Sequence, residues 1–108
     1  MVTKVPELLD DMNWSIWKNQ MELILHLCGV AKYVEGKAQC PSDTDQATSW
    51  DYNDDYTKVL ISNNISSSQV IHVKKCTTSC AMWDSLKAIH ESKGHETTIT
   101  AKPFSHCC

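Results

Sequence analysis

Asn13-Trp14-Ser15-Ile16-Trp17-Lys18-Asn19-Gln20-Met21-Glu22-Leu23-Ile24-Leu25-His26-Leu27-Cys28 is the stretch that decides the fold class. Placed at 100° per residue, Trp14, Trp17, Met21, Ile24, Leu25 and Cys28 fall in one arc. Ile16, Leu23 and Leu27 fall in the arc beside it, and only Ser15, Lys18, Asn19, Glu22 and His26 remain as a polar strip. This is the period of a helix over residues 14–28. Asn13 or Ser15 stands as its N-cap, and Gly29 ends it. An apolar face of that width predicts neighbours on two sides, so the helix is expected at the centre of the fold.

Further along, Val30-Ala31-Lys32-Tyr33-Val34 adds a turn before Gly36. Residues 36–47 then read as a loop with Pro41, Ser42, Asp43, Thr44 and Asp45. A second helix is expected over residues 49–65, opened by Thr48-Ser49-Trp50-Asp51 as a capping box. Its apolar side holds Trp50, Tyr52, Tyr56, Val59, Leu60, Ile61 and Ile65. Its wet side holds Asp51, Asp54, Asp55, Lys58 and Ser62, with Asp54 and Lys58 one turn apart and able to pair. After Ser66-Ser67-Ser68, a short helix over residues 69–75 is expected to bury Val70, Ile71 and Val73. Thr77-Thr78-Ser79 opens a last helix to about residue 92, with Met82, Trp83, Leu86 and Ile89 in one arc, His90 at its edge and Gly94 as a stop. The domain organisation expected is a flexible lead over 1–12, a helical domain over 13–98 and an unstructured tail over 99–108, where periodicity is lost.

Composition agrees with an all-α class. A length of 108 residues favours one domain. Three glycines and three prolines favour long helices over a turn-rich β fold. The net charge is −3 and the longest basic run is Lys74-Lys75. Phosphate recognition needs a basic field, so direct nucleic-acid binding by this chain is not expected. The start, Met1-Val2-Thr3-Lys4-Val5-Pro6, has no apolar run behind its lysine, and no window reaches the length of a membrane span. The six cysteines then read as thiols in a reducing, cytoplasmic setting.

Constellations that could carry chemistry are weak. His72, Cys76 and Cys80 stand four apart, but Thr77-Thr78-Ser79 interrupts any shared helix face. Structural zinc sites use a closer cysteine pair with a second pair elsewhere, so these read as small thiols near a core. His90 and His95 are separated by Gly94, and His90 reads as a packed histidine at the rim of an apolar face. His106-Cys107-Cys108 reads as part of the tail. There is no Gly-x-Ser-x-Gly turn and no glycine-rich phosphate loop. Asp54 and Asp55 read as a solvated face and not as an acid–base pair. No catalytic, metal or cofactor site is therefore expected, and no small-molecule substrate. The candidate functional residues are apolar ones, serving as core or interface: Trp14, Trp17, Met21, Ile24, Leu25, Trp50, Leu60, Ile61, Met82, Trp83, Leu86 and Ile89. A tryptophan that so small a core cannot cover would anchor a partner.

The stretch Asn13-Trp14-Ser15-Ile16-Trp17-Lys18, running into Met21-Glu22 and Leu25, resembles the Asn-aromatic-x-x-Trp opening of Gag proteins from copia-type LTR retrotransposons. Gly29, Tyr33-Val34 and Gly36 resemble the next segment of that family. Trp50, the run from Lys58 through Asn63-Asn64-Ile65-Ser66, Val73 and Met82-Trp83-Asp84-Ser85-Leu86 follow in the family's order. The resemblance covers about residues 7–98. It implies a small helical bundle like the N-terminal half of a Gag capsid, which self-assembles around the element's RNA. Its partners would be copies of itself or other Gag-like chains. In such proteins a later basic region, often with a Cys-Cys-His-Cys zinc knuckle, grips RNA, and this sequence holds no such knuckle. Family members carry on with further capsid helices after the position of His90-Glu91-Ser92-Lys93-Gly94. Here Ala101-Lys102-Pro103-Phe104-Ser105-His106-Cys107-Cys108 departs from them, as a truncated or decayed copy would, which leaves part of the first helix's apolar surface without cover. The alternative reading is a domesticated adaptor that binds a host protein through that surface.

Overall fold

The first long helix, α1 (Trp14–Leu27), ends in a left-handed glycine. Gly29 has φ +78°, its amide bonds the carbonyl of His26 at 3.0 Å, and the amide of Val30 bonds that of Leu25 at 2.9 Å. Those two bonds satisfy carbonyls that a helix end leaves orphaned, and only glycine takes that backbone angle at little cost. The computed structural model describes residues 2–92. Within them α1 is followed by α2 (Ala31–Val34), α3 (Thr44–Ser62), α4 (Ser67–Val73) and α5 (Ser79–Glu91). The class is all-α. An isolated bridge between Leu9 and Ile65 is the single trace of β pairing among the described residues.

The second long helix starts earlier than expected. Asp43 accepts from the amide of Gln46 at 3.0 Å and so caps α3, while Thr48 donates to the carbonyl of Thr44 from inside the helix. The stretch 44–47, expected as loop, is therefore its first turn. The start of α5 does lie at the threonine–serine run: Thr78 accepts from the amide of Ala81 at 3.1 Å. A second oxygen reinforces it from another helix. Asp54 of α3 accepts from the Ser79 amide at 3.1 Å and from the Ser79 hydroxyl at 2.6 Å. Asp54 is thus buried, not on the wet strip, because a carboxylate facing the free amides of a helix N-terminus is compensated there. Its expected partner Lys58 pairs with Asp55 at 3.1 Å and donates to the carbonyl of Thr77.

α5, not α1, is the hub. It packs against α2, α3 and α4 and meets α1 through Trp83. α1 buries Trp17, Met21, Ile24 and Leu25 but leaves Ile16, Leu23 and Leu27 exposed, because the described chain covers it on one side only. On α3 the inward positions are Trp50, Asp54, Thr57, Leu60 and Ile61, and Tyr52 and Val59 point out. The short α4 turns Gln69 and Val73 inward and Val70 and Ile71 outward. Seven residues give too few turns for apolar periodicity to fix that rotation.

The N-terminal lead is tied down, contrary to expectation. Val5 and Leu9 are core residues. Asn64, fully buried, accepts from the Val5 amide at 2.8 Å and donates to the carbonyls of Thr3 at 2.9 Å and Leu60 at 2.7 Å. Its own carbonyl accepts from the Leu9 amide at 3.0 Å and from the Trp17 indole at 2.7 Å. Asn13 stands at the N-cap of α1, but its side chain serves the lead: it accepts from the Asp10 amide and donates to the Leu8 carbonyl. Such contacts, 59 to 61 residues apart for Thr3 and Val5, leave no local pattern in a sequence.

Two substitutions test this architecture. Trp17→Ala removes a fully buried aromatic and is expected to cost about 3–5 kcal/mol in urea unfolding. Asp54→Ala leaves the Ser79 amide and hydroxyl without their buried acceptor and is expected to cost about 1–3 kcal/mol.

Candidate self-association surface

The candidate residues divide by burial. Trp17, Met21, Ile24, Leu25, Trp50, Leu60, Ile61, Met82, Trp83 and Leu86 are buried, whereas Trp14 and Ile89 are half-buried. Trp14, Trp17 and Trp83 form one aromatic cluster, with ring centroids 5.6 to 6.1 Å apart. Trp50 lies apart, edge-on to Tyr33 at 5.7 Å, and donates to the carbonyl of Ala38. His90, expected at the rim, is buried and takes the inward place beside Ile89. Its ring stacks on Trp14 at 5.1 Å and its Nε2 lies 2.7 Å from Gln69 Oε1. An amide oxygen only accepts, so this imidazole nitrogen carries the proton. Gln69 in turn donates to Asp11, which joins α5, α4 and the lead.

Trp14 is the least covered of the cluster, and its outer edge is clasped. Its indole donates to Glu91 at 3.1 Å, and Lys18 pairs with the same carboxylate oxygen at 3.2 Å. Partial burial alone would push the Glu91 carboxyl up. The hydrogen bonds from Trp14 and Lys18, with the positive charges of Lys18 and Lys87, outweigh it and hold Glu91 below the usual carboxylate range. The clasp fixes the C-terminal end of α5 against the N-terminal half of α1. An open groove of about 650 Å³ beside it is lined by Trp14, Ile16, Lys18, Asn19, Glu22 and Glu91 among others.

On its outer side α1 presents Ile16, Leu23 and Leu27, exposed by 66%, 65% and 61%. Gln20 stands half-buried between the first two, and Ser15, Asn19 and His26 flank the stripe on the open side. The charged residues Lys18 and Glu22 lie further round the helix. Met12, 90% exposed, lies just before the helix. An uncharged ridge of aliphatic side chains has the composition of an interface centre, not of an ordinary wet surface. Of the other exposed apolar residues, Val2 and Leu8 lie in the lead, and Tyr52, Val59, Val70 and Ile71 sit on α3 and α4.

The thiols have ordinary surroundings. Cys76 lies 3.6 Å from the Ser85 hydroxyl and Cys80 3.8 Å from Asp84, and α4 ends at Val73, before either of them. Among the described residues no group of three or more His, Cys, Asp or Glu side chains could hold a metal ion, and no helix is long and apolar enough to cross a membrane. His95, His106, Cys107 and Cys108 lie outside the described residues. The buried polar residues Asn64, Gln69 and Asp54 were not foreseen as functional in the fold. Only Asn64 carried any signal, through its place in the Asn63-Asn64-Ile65-Ser66 run.

A family model described as the gag-polypeptide of LTR copia-type matches residues 21–103. It starts inside α1, so Leu23 and Leu27 fall within it and Ile16 before it. It also reaches into the 99–108 segment that the sequence reading set apart. No curated protein and no solved structure matches the chain.

The clasp at Glu91 has a definite pH signature. A carboxyl with a lowered folded pKa stabilises fully above its unfolded value and loses that contribution as pH falls through the folded one. Glu91→Gln is therefore expected to lower stability slightly at neutral pH, by well under about 1 kcal/mol at so exposed a site. The difference from the unsubstituted chain should vanish below the carboxylate range. Thermal midpoints of both proteins measured across acid pH check this.

Proposed function

The chain belongs to the gag-polypeptide family of copia-type LTR elements, and from that premise we propose that it is a structural module that works by self-association. Its partners are further copies of itself or other Gag-like chains, as in the assembly of a capsid-like particle. The observation that carries this reading is the uncharged aliphatic stripe of Ile16, Leu23 and Leu27 on a helix whose opposite face is sealed into the core. An exposed ridge of that kind gains free energy when a second surface removes it from water, and it offers no group that could bind a small polar substrate.

Charge supports the same division of labour. With 13 acidic and 10 basic residues and no basic field, the chain has little to offer phosphates. Contact with RNA therefore belongs to other parts of an assembly, and this module supplies protein–protein contact in the cytoplasm. Its chemistry is burial of surface and not bond making, so it is not an enzyme.

Light scattering after size exclusion, over a wide range of loading concentration, tests the proposal. The expected result is a mass that rises above the 12.2 kDa of one chain as concentration increases. A strict monomer throughout overturns it.

A further inference from the structure

We infer that the outer faces of α3 and α4 fit each other between copies: α3 of one chain covers α4 of the next. This rests on the self-association reading and adds to it a contact of opposite charges.

The outward side of α3 is apolar and acidic. Tyr52 and Val59 are exposed, and a spacing of seven residues puts them on one side of the helix. Asp45 lies in line with them, seven residues before Tyr52. Asp55 lies between the two, and Asp51 borders them. Lys58 pairs with Asp55 at 3.1 Å, but Asp45 and Asp51 make no ion pair with any described residue. The face therefore keeps an excess of negative charge. The outward side of α4 is apolar and basic. Val70 and Ile71 are exposed there, and the exposed Lys74 and Lys75 follow at its end. Neither lysine pairs with an acid among the described residues. Asp11 meets α4 at Gln69, which points inward, and the half-buried His72 brings no negative charge.

Charge selects the occupant. Like faces cannot pair, since α3 on α3 sets acids against acids and α4 on α4 sets lysines against lysines. α3 on α4 covers Tyr52 and Val59 with Val70 and Ile71 and places the lysines against the acids around them. An apolar centre with a charged rim is the usual anatomy of a protein contact. The lengths agree as well: Tyr52 and Val59 lie about 10 Å apart along α3, and the seven residues of α4 span about the same distance. An acidic partner would suit α4 alone and a basic one α3 alone, whereas a second copy brings the complement of each. Because unlike faces meet, each copy keeps one of them free for a third. Such a contact repeats from chain to chain. α3 and α4 both pack on α5, so α5 fixes the angle between the two faces and with it the direction of growth.

Sedimentation equilibrium of two charge-reversed full chains tests this. One carries Lys74→Glu with Lys75→Glu, the other Asp51→Lys with Asp55→Lys. All four positions are exposed, so both variants are expected to keep their helical circular dichroism. Each alone should show a dissociation constant raised at least about tenfold, because like charges then face each other. An equimolar mixture should associate as the parent does, since each variant's reversed face meets the other's. Ile71→Asn leaves charge untouched and should also weaken association, with an unchanged melt. Rising salt should weaken association of the parent. If the variants associate like the parent, or the mixture stays as weak as its components, the pairing is wrong and the self-association reading stands. If the parent is monomeric at every concentration, both fall. If the lysine variant associates normally but loses an RNA oligonucleotide that the parent retains, the α4 face serves phosphate and the inference is overturned.

Discussion

Three pieces of the chain meet at Asn64: the lead, α1 and the end of α3. Its carbonyl accepts from both the Trp17 indole and the Leu9 amide, and its side chain holds Val5, Thr3 and Leu60. Every one of these groups lies at or near the core, where an unmet donor or acceptor costs about as much as a lost helix cap. The junction therefore sets two things together. It draws the lead across the bundle so that Val5 and Leu9 become core, and it fixes the rotation of α1 about its own axis. With the Trp17 indole aimed at Asn64, Met21, Ile24 and Leu25 follow inward by helical spacing. Ile16, Leu23 and Leu27 are left outside by the same geometry.

Helical periodicity and local capping rules are legible in the sequence itself. The extents of α1 and α5, the glycine that ends α1 and the threonine–serine start of α5 all rest on local rules, and the structure places them as those rules direct. The all-α class rests on the same features. What local rules could not show falls into two kinds. Polar residues buried by a distant partner, Asp54 by Ser79 and Asn64 by the lead, look like surface residues in a sequence, because their compensation comes from 25 and about 60 residues away. Apolar arcs, in turn, report that a face prefers to be dry, and not whether the chain supplies something to dry it. The second arc of α1 predicts neighbours that the described residues do not provide.

The same distinction explains why α5 and not α1 is the hub. α1 has the broader apolar face, yet α5 is the helix whose N-terminus is capped from α3 and whose C-terminal turn reaches Trp14, Lys18 and Gln69. Position in a bundle follows from how many elements a helix can bond to at its ends as well as along its side. Amphipathic width alone misjudges that.

The exposed stripe is a stable property of this arrangement and not a packing error. Turning α1 to bury Ile16, Leu23 and Leu27 would expose Trp17, Met21 and Leu25, and each such aliphatic or thioether side chain is worth about 1.5–3 kcal/mol when buried. The exchange is nearly even in aliphatic area, so area does not decide. Trp17 does. It is the largest fully buried side chain, its ring is packed against Trp14 and Trp83, and in the observed rotation its indole donates to the Asn64 carbonyl. Aromatic contacts contribute about 0.5–1.5 kcal/mol each beyond area, and the hydrogen bond adds about as much again. The fold thus holds an aliphatic ridge in water with a preference of a few kcal/mol, and relief for that ridge has to come from outside the bundle.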